Sequence, residues 1–476
     1  MTDATQHILM IFEQISSIPR GSGREAALSS WLQGLAAERG FACQVDDIGH
    51  LIIRVPATPG MESAPTIVLQ GHMDMVCEKT PDSSHNFLED PIRCIVQGDW
   101  MHADHTTLGA DNGIAIALAM ALVEDASLVH PSLELLFTVL EEAGGGANFL
   151  KPGFVQGKVL VNLDSEDEGT FVIGCAGGQT TTMHLPLEFQ TATQIAAFHL
   201  LVTGLHGGHS GLDIDKHFAS ANKLIARVLN QIQKIAPLSL MSINGGTAHN
   251  AISREAQAVF VYPSEYSAAI QQVVNEIAVI LNQEYSPVES QIKLILAEVE
   301  PGPAVSQADS AKVLQILQAM PHGVAEMSAT VNGFVETSNN LARVELDSNG
   351  LRVITSQRST VMTRLQELTA RITAVAQLAG AEVSSSPAHP SWQPDIKSAL
   401  LTRSVETYQN LFGHAPIVRS LHAGVECGTI GSIYSGMDMI SMGVTIENPH
   451  SPAERMYIPS IEKVWKYLVS FLQSYK

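Results

Sequence analysis

The sequence predicts an α/β protein with a mixed, largely parallel sheet between helices, interrupted by an inserted α+β region. Three observations carry that expectation. Apolar runs of strand length, at Thr66–Gln70, Leu133–Leu140 and Lys158–Asp164, are near-continuous rather than alternating, as in strands covered on both faces. Stretches with apolar residues at helical spacing lie between such runs. The chain of 476 residues is also too long for one ordinary domain. Its character changes near Pro186 and again at the linker-like Pro387–Pro394 (PAHPSWQP). The expected units are therefore 1–185 joined with 390–476, and an insertion, 186–389.

At the N-terminus, His7–Ile18 places Ile8, Ile11, Phe12 and Ile15 on one helical face, and the turn Pro19–Gly23 stops it. A second helix is expected over Arg24–Arg39, closed by Gly40 in the usual C′ position. Phe41–Val45 and Leu51–Val55 read as a hairpin. Thr66–Gln70 is a short buried strand that runs straight into Gly71-His72-Met73-Asp74. Asp111 and Asn112 precede an apolar helix, Ile114–Val123. The strand Leu133–Leu140 ends in Glu141 and Glu142, followed by Gly144–Gly146, and the strand Lys158–Asp164 ends in an acid.

The insertion alternates strands and helices. Strands are expected at Gln194–Gly204, Leu238–Ile243, Ala256–Tyr262, Gln291–Leu296, Leu341–Leu346 and Arg352–Ser356. Helices are expected at Lys216–Ile235, Ser267–Leu281, Ser310–Met320 and Thr360–Leu378. Short polar turns between them fit an α+β layer. After the linker come helices near Ile396–Phe412 and Ile461–Ser474, which flank a turn-rich stretch with HAGVECG (His422–Gly428). The strand Met437–Gly443 then leads to the loop TIENPHSPAE, which carries His450.

Composition excludes several classes of function. With 45% hydrophobic residues a large core is easily built. The 27 basic residues are outnumbered by 48 acidic ones, for a net charge of −21, and such a surface repels phosphate backbones and anionic lipid. Neither nucleic acid nor membrane is expected as a partner, and acidic excess suits divalent metals. The longest uncharged apolar run, Ile114–Val123, falls well short of the roughly 20 residues that span a bilayer. The opening MTDATQHILMIFEQI lacks the basic stretch and cleavage site of a signal peptide. Five scattered cysteines without a CxxC pair fit a reduced, cytoplasmic setting.

Four strand ends or turns within about 100 residues thus present His72 and Asp74, Asp111, Glu141 and Glu142, and Asp164. The C-terminal edge of a parallel sheet is where ligands bind. Two adjacent carboxylates in extended backbone point different ways, so one could hold a metal and the other handle a proton. In HxD the aspartate could receive the spare ring N–H of the histidine and fix its tautomer, as behind many zinc-bound histidines. Each feature also has a plain structural reading: a solvated Glu-Glu pair, a surface turn, a helix-capping Asp-Asn. The set is harder to explain in that way.

In order, the HxD of His72, ADNG, EEAGGG, NLD and the late NPHSPAE resemble the dinuclear-zinc aminoacylase and carboxypeptidase-like peptidases. The similarity is closer still to the cytosolic aminoacyl-histidine (Xaa-His) dipeptidases, which have carnosinases among their relatives. It extends over essentially the whole chain. The resemblance implies a zinc-peptidase catalytic domain with an inserted lid, and a homodimer formed through that lid. It implies two Zn²⁺ per subunit, with Co²⁺ or Mn²⁺ as acceptable substitutes. His72 and Asp164 would hold one metal, Glu142 and His450 the other, and Asp111 would bridge them, with a cis peptide between Asp111 and Asn112. Asp74 would orient His72. Glu141 would be the general base that activates a metal-bridging water. In HGGHSG, His209 would meet the tetrahedral charge from the partner subunit's lid. Arg358 would clamp the carboxylate of a small peptide, with Asn250 touching the same end. No role falls to His206, His249 or His422.

Two rival readings stand beside this one. An N-acyl-amino-acid deacylase or tripeptidase could use the same scaffold, although an insertion of about 200 residues favours the dipeptidase. A metal-binding or peptide-binding protein without catalysis would have no need of Glu141.

Overall fold

The computed structural model describes residues 2–191 and 196–475. The chain divides into two compact units. One comprises Met1–Cys175, Trp392–Ser420 and Val425–Lys476, the other Ala176–Ser391 and Leu421–Gly424.

The first unit is built on an eight-stranded sheet. Its strands are β1 (Ala42–Val45), β2 (Leu51–Val55), β3 (Ile67–His72), β4 (Leu133–Thr138), β5 (Val159–Asn162), β6 (Thr170–Cys175), β7 (Ile417–Leu421) and β8 (Asp438–Ser441), in the order β1-β2-β4-β3-β5-β8-β6-β7. Parallel pairs join the central strands, β4-β3-β5-β8. The pairs β1-β2, β2-β4 and β8-β6 are antiparallel. The sheet is therefore mixed, with antiparallel pairs flanking a parallel centre. The cause at one edge is local: the Asp46 carboxylate accepts the N–H groups of Ile48, Gly49 and His50, closing a tight turn that only an antiparallel pair can use.

Helices α1 (Asp3–Ser16), α2 (Ala26–Glu38), α3 (Ala110–Glu124), α4 (Ala399–Phe412), α5 (Glu426–Ile433) and α6 (Ile458–Gln473) belong to this unit. From Ile114 to Leu122 every residue of α3 is at most 1% exposed, so the helix is apolar all round because it is covered all round. Leu108, Phe12, Phe137, Phe171 and Phe471 join it in one continuous core. The glycine-containing stretch after HAGV is not all turn. It forms α5, whose Cys427 and Ile430 are fully buried, and that burial outweighs the poor helix propensity of Gly428 and Gly431.

The second unit contains a nine-stranded sheet and the helices Ala221–Ile235, Ser267–Glu284, Gln307–Ala319 and Met362–Leu378. Its first strand, Gly177–Leu185, has no counterpart in the sequence reading, and with it the unit starts at Ala176 rather than near 186. The strand expected at Gln194–Gly204 is observed as Ala196–Thr203, and residues 194–195 lie outside the described ones. The helix expected from Lys216 begins only at Ala221, since His217 adopts a left-handed conformation (φ 58°) that a helix cannot include. No helix among the described residues is long and apolar enough to cross a membrane.

Candidate active site

The parallel centre of the sheet brings several polar side chains to one edge. In register, His72 at the end of β3 stands beside Thr138 at the end of β4, and Gln70 of β3 stands beside Asn162 of β5. Glu141 and Glu142 follow β4 by one turn, and Asp164 follows β5. The chain leaves β4 sharply: Leu140 has φ 59°, and a Cβ on Gly146 would come within 1.6 Å of the Val139 carbonyl oxygen, so only glycine fits there. Just inside α3, Asp111 and Asn112 depart from helical geometry, and the peptide between them is cis, as the family resemblance implies.

Asp111 lies between two imidazoles. Its Oδ1 is 3.0 Å from His72 Nε2 and its Oδ2 is 3.1 Å from His450 Nε2. Asp164 Oδ1 is 3.3 Å from His72 Nε2, and Glu142 Oε2 is 3.1 Å from His450 Nε2. The ligand atoms of His72, Asp111 and Asp164 lie within 4.8 Å of one another, as do those of Asp111, Glu142 and His450. Glu141 forms a further such group with His72 and Glu142. Six of the residues singled out in the sequence thus converge with Asp111 or its histidines within one unit. Asp74 stands directly behind them.

Asp74 is fully buried and makes more contacts than the HxD spacing suggests. The nearer acceptor for His72 Nδ1 is the Asp74 backbone carbonyl, at 3.1 Å, while the carboxylate Oδ1 is 3.5 Å away. A carbonyl only accepts, so Nδ1 carries the proton and Nε2 faces the cluster. The Asp74 carboxylate accepts the backbone N–H groups of Glu141 and Glu142, each at 3.0 Å, and the Ser22 hydroxyl at 2.7 Å. It therefore fixes the Glu-Glu turn as well as the histidine.

The electrostatics show a site short of positive charge. Burial, with Asp164, Glu426 and Glu142 nearby, pushes the Glu141 carboxyl up to about 9. Burial likewise pushes Asp164 up to about 6. At Asp111 burial acts the same way, but hydrogen bonds with His450 and His72 win and hold it below the usual carboxylate range. Hydrogen bonds with Asp111 and Glu142 raise His450 to about 11. Burial works against the charge on His72, yet Asp164 and its other carboxylate neighbours raise it well above its ordinary value.

Carboxylates crowd both imidazoles, an arrangement that divalent cations would satisfy better. Glu142 Oε1 is buried without a hydrogen-bond partner, which is expensive unless something else satisfies it. Three carboxylates and two imidazoles without a thiolate are a donor set that suits Zn²⁺. The residues fit a pair of divalent metals.

Several contributing residues were not singled out from the sequence. Glu454 accepts backbone N–H groups from Leu108 through Asp111. Buried Arg20 donates to the carbonyls of Met73 and Asp74, each at 3.0 Å, and to that of Gly109. Asn112 Oδ1 accepts the His72 N–H while its amide donates to the Leu163 carbonyl, tying α3 to two strand ends. Below the cluster, Glu426 accepts from Gln70 and Thr138, and Asn162 donates to Gln70. One signal was available: Glu454 closes the NPHSPAE motif that carries His450.

The second unit holds the remaining candidates. His209 Nδ1 accepts the N–H groups of Gly211 and Leu212 at 3.2 and 3.1 Å, so in the neutral ring the proton sits on Nε2, which is left as a donor. Burial and the Arg358 charge keep that ring below its ordinary pKa, favouring the neutral form. Arg358 lies on the strand Gly350–Ser359 opposite Ser338, and its buried Nε has no partner. Ser338 bonds His422 Nε2 at 2.7 Å. Asn250 is exposed, and its carbonyl accepts the Ser210 N–H at 2.7 Å.

Residues 68–474 match the sequence model of peptidase family M20/M25/M40. The cytosol non-specific dipeptidase of Escherichia coli (strain K12) is 39% identical over 466 residues, which cover 97% of this chain and 96% of that protein. Among solved structures, the aminoacylhistidine dipeptidase from Vibrio alginolyticus superposes with a TM-score of 0.93 at 36% identity, over 99% of this chain and 98% of that one. A tripeptidase from Staphylococcus aureus, with a TM-score of 0.58 and 16% identity over 99% and 98% of the two chains, shares the fold.

Proposed function

This chain belongs to peptidase family M20/M25/M40, and from that premise we propose that it is a cytoplasmic dinuclear metallo-dipeptidase. The observation that carries the proposal is Asp111, held between His72 and His450 with Asp164 and Glu142 on either side.

His72 and Asp164 would hold one divalent metal and Glu142 and His450 the other, with Asp111 shared between them; two Zn²⁺ ions there would supply Lewis acidity for the scissile carbonyl and acidify a water. Glu141, assigned to neither metal, would take the proton of the attacking water and return it to the leaving amine nitrogen. Asp74 keeps His72 Nε2 aimed at the centre and holds the Glu141-Glu142 turn by its two amides. The second unit carries the remaining candidates. There His209 Nε2–H is a donor suited to the charge that develops on the tetrahedral oxygen. Arg358 and Asn250 take the substrate carboxylate, a bidentate task for the guanidinium.

A homodimer through the second unit has support from a sheet edge that pairs with no further strand among the described residues. The outermost strand, Lys293–Val299, exposes Ile295 and Val299, and the helix packed on it exposes Val279 and Ile280. Open apolar edges of this kind are usually covered. The relative named for aminoacylhistidine dipeptidase activity, together with the motif resemblance, favours Xaa-His substrates. The relative named as a non-specific dipeptidase favours a wider range, which is the second reading.

The experiment is metal analysis of the purified protein combined with hydrolysis of a dipeptide panel before and after chelation. Two zinc ions per chain and chelator-sensitive release of free histidine from Xaa-His are expected. Equal rates on dipeptides without histidine would replace the Xaa-His preference with the wider range, and deacylation without dipeptide cleavage would overturn the proposal.

A further inference from the structure

An open cleft of about 380 Å³ adjoins the metal-side carboxylate Glu142, entirely within the first unit. We propose that it receives the side chain of the dipeptide's amino-terminal residue, and that Phe87 and Leu88 make it select apolar over basic side chains. The inference rests on the dipeptidase reading and adds a specificity site to it.

Four observations support it. Glu142, whose side chain is only 7% exposed, is one of the lining residues, so the cleft opens beside a candidate metal ligand. Gly21, Met75 and Val76 also line it, and a Cβ on Gly21 would come within 2.8 Å of Cys77 Sγ. The lining is tied to the site, since Ser22 donates to Asp74 Oδ2 at 2.7 Å and Gly21 pairs with Met75 next to the HxD turn. Phe87 and Leu88 add apolar lining, and Leu88 is 56% exposed, so that apolar surface is open to a ligand. The volume falls within the range of small-molecule sites, about 300–1,000 Å³.

The orientation follows from the position of the scissile carbonyl, which belongs to the amino-terminal residue: a cleft beside Glu142, a candidate ligand of the metals that would polarise that carbonyl, is assigned to the side chain of the same residue. Apolar walls reward methyl and methylene groups. Arg24 also lines the cleft, and its charge disfavours a second cation.

The test is the specificity of Leu88→Asp, a surface change that spares the core. The kcat/KM ratio of Leu-Ala to Lys-Ala is measured for parent and variant with zinc present, alongside the ratio of Ala-Leu to Ala-Lys. A fall of tenfold or more in the first ratio, with the second within twofold, is expected, since new repulsion and new attraction act together. Leu88→Ala, which adds no charge, should lower Leu-Ala relative to Gly-Ala. If the Ala-Leu to Ala-Lys ratio moves instead, the cleft faces the other residue and the inference fails. Unchanged ratios with intact dipeptide turnover remove the inference alone, whereas a parent protein that cleaves no dipeptide with zinc bound removes the dipeptidase reading and this inference with it.

Discussion

Glu454 holds the turn that carries Asp111. Its Oε2 accepts the N–H groups of Leu108 at 2.7 Å and Gly109 at 2.9 Å, and its Oε1 accepts those of Ala110 at 2.8 Å and Asp111 at 3.3 Å. Glu454 also ends the loop on which His450 sits, and His450 Nε2 is 3.1 Å from Asp111 Oδ2. One buried carboxylate therefore fixes two segments of the site relative to each other.

Replacing it should be costly. Glu454→Ala leaves four backbone N–H groups without their acceptor, and bonds to a charged group contribute about 1.5–3 kcal/mol each, though not additively. A loss of at least about 3 kcal/mol in urea unfolding is expected, together with zinc that dialyses away more readily. Unfolding within about 0.5 kcal/mol of the parent and full zinc retention would dismiss the role.

Glu141→Gln should lower kcat by roughly 10²–10⁴. Both metals should remain bound, because no metal is assigned to this side chain. Elemental analysis and steady-state kinetics on the same preparation decide the matter: turnover near the parent level with two metals present would end the base assignment.

Chelated protein should lose stability as pH rises. Glu141 is raised to about 9 and Asp164 to about 6 by burial, and Glu166, also buried, is raised to about 8. His450 is raised to about 11 by Asp111 and Glu142. For all four the folded state binds protons more tightly than the unfolded chain, so their stabilisation is complete below the unfolded values and is lost as pH climbs through the folded ones. Between about pH 5 and 9 the Tm of the metal-free protein should fall steadily. Zinc requires deprotonated ligands, so the increase in Tm on adding zinc should grow over the same range. A metal-free Tm that rises with pH would contradict these shifts.

If the donor His209 serves the neighbouring subunit, inactive Glu141→Ala and His209→Ala homodimers should recover activity when mixed under exchange conditions. One of the two sites in a hybrid dimer then contains both groups. Exchange confirmed by mass spectrometry without any recovered activity would place His209 and Glu141 in the same chain's site.

Much of the first unit was legible because burial on both faces writes itself into sequence as continuous apolar runs. Thr66–Gln70 and Leu133–Leu140 become β3 and β4, with the ends adjusted by two residues. The polar residues that interrupt such runs are conspicuous for the same reason, and His72, Asp111, Glu141, Glu142 and Asp164 stand out for that reason. Strands 170–175 and 177–185, by contrast, were missed. The second alternates buried and half-buried residues around Thr180, Thr181 and Thr182, a weak pattern without its neighbours.

By itself the sequence determined which side chains stand at the ends of the buried strands, and so the chemical inventory of the site. Only the tertiary structure decided how that inventory is held. Asp74 faces the amides of Glu141 and Glu142, Glu454 faces those of residues 108–111, and His209 accepts two local N–H groups and so presents its other nitrogen as a donor. Hydropathy patterns record which residues leave water, whereas a buried carboxylate's partners depend on which backbone amides are left without acceptors where distant segments meet. That quantity exists only after the chain has folded.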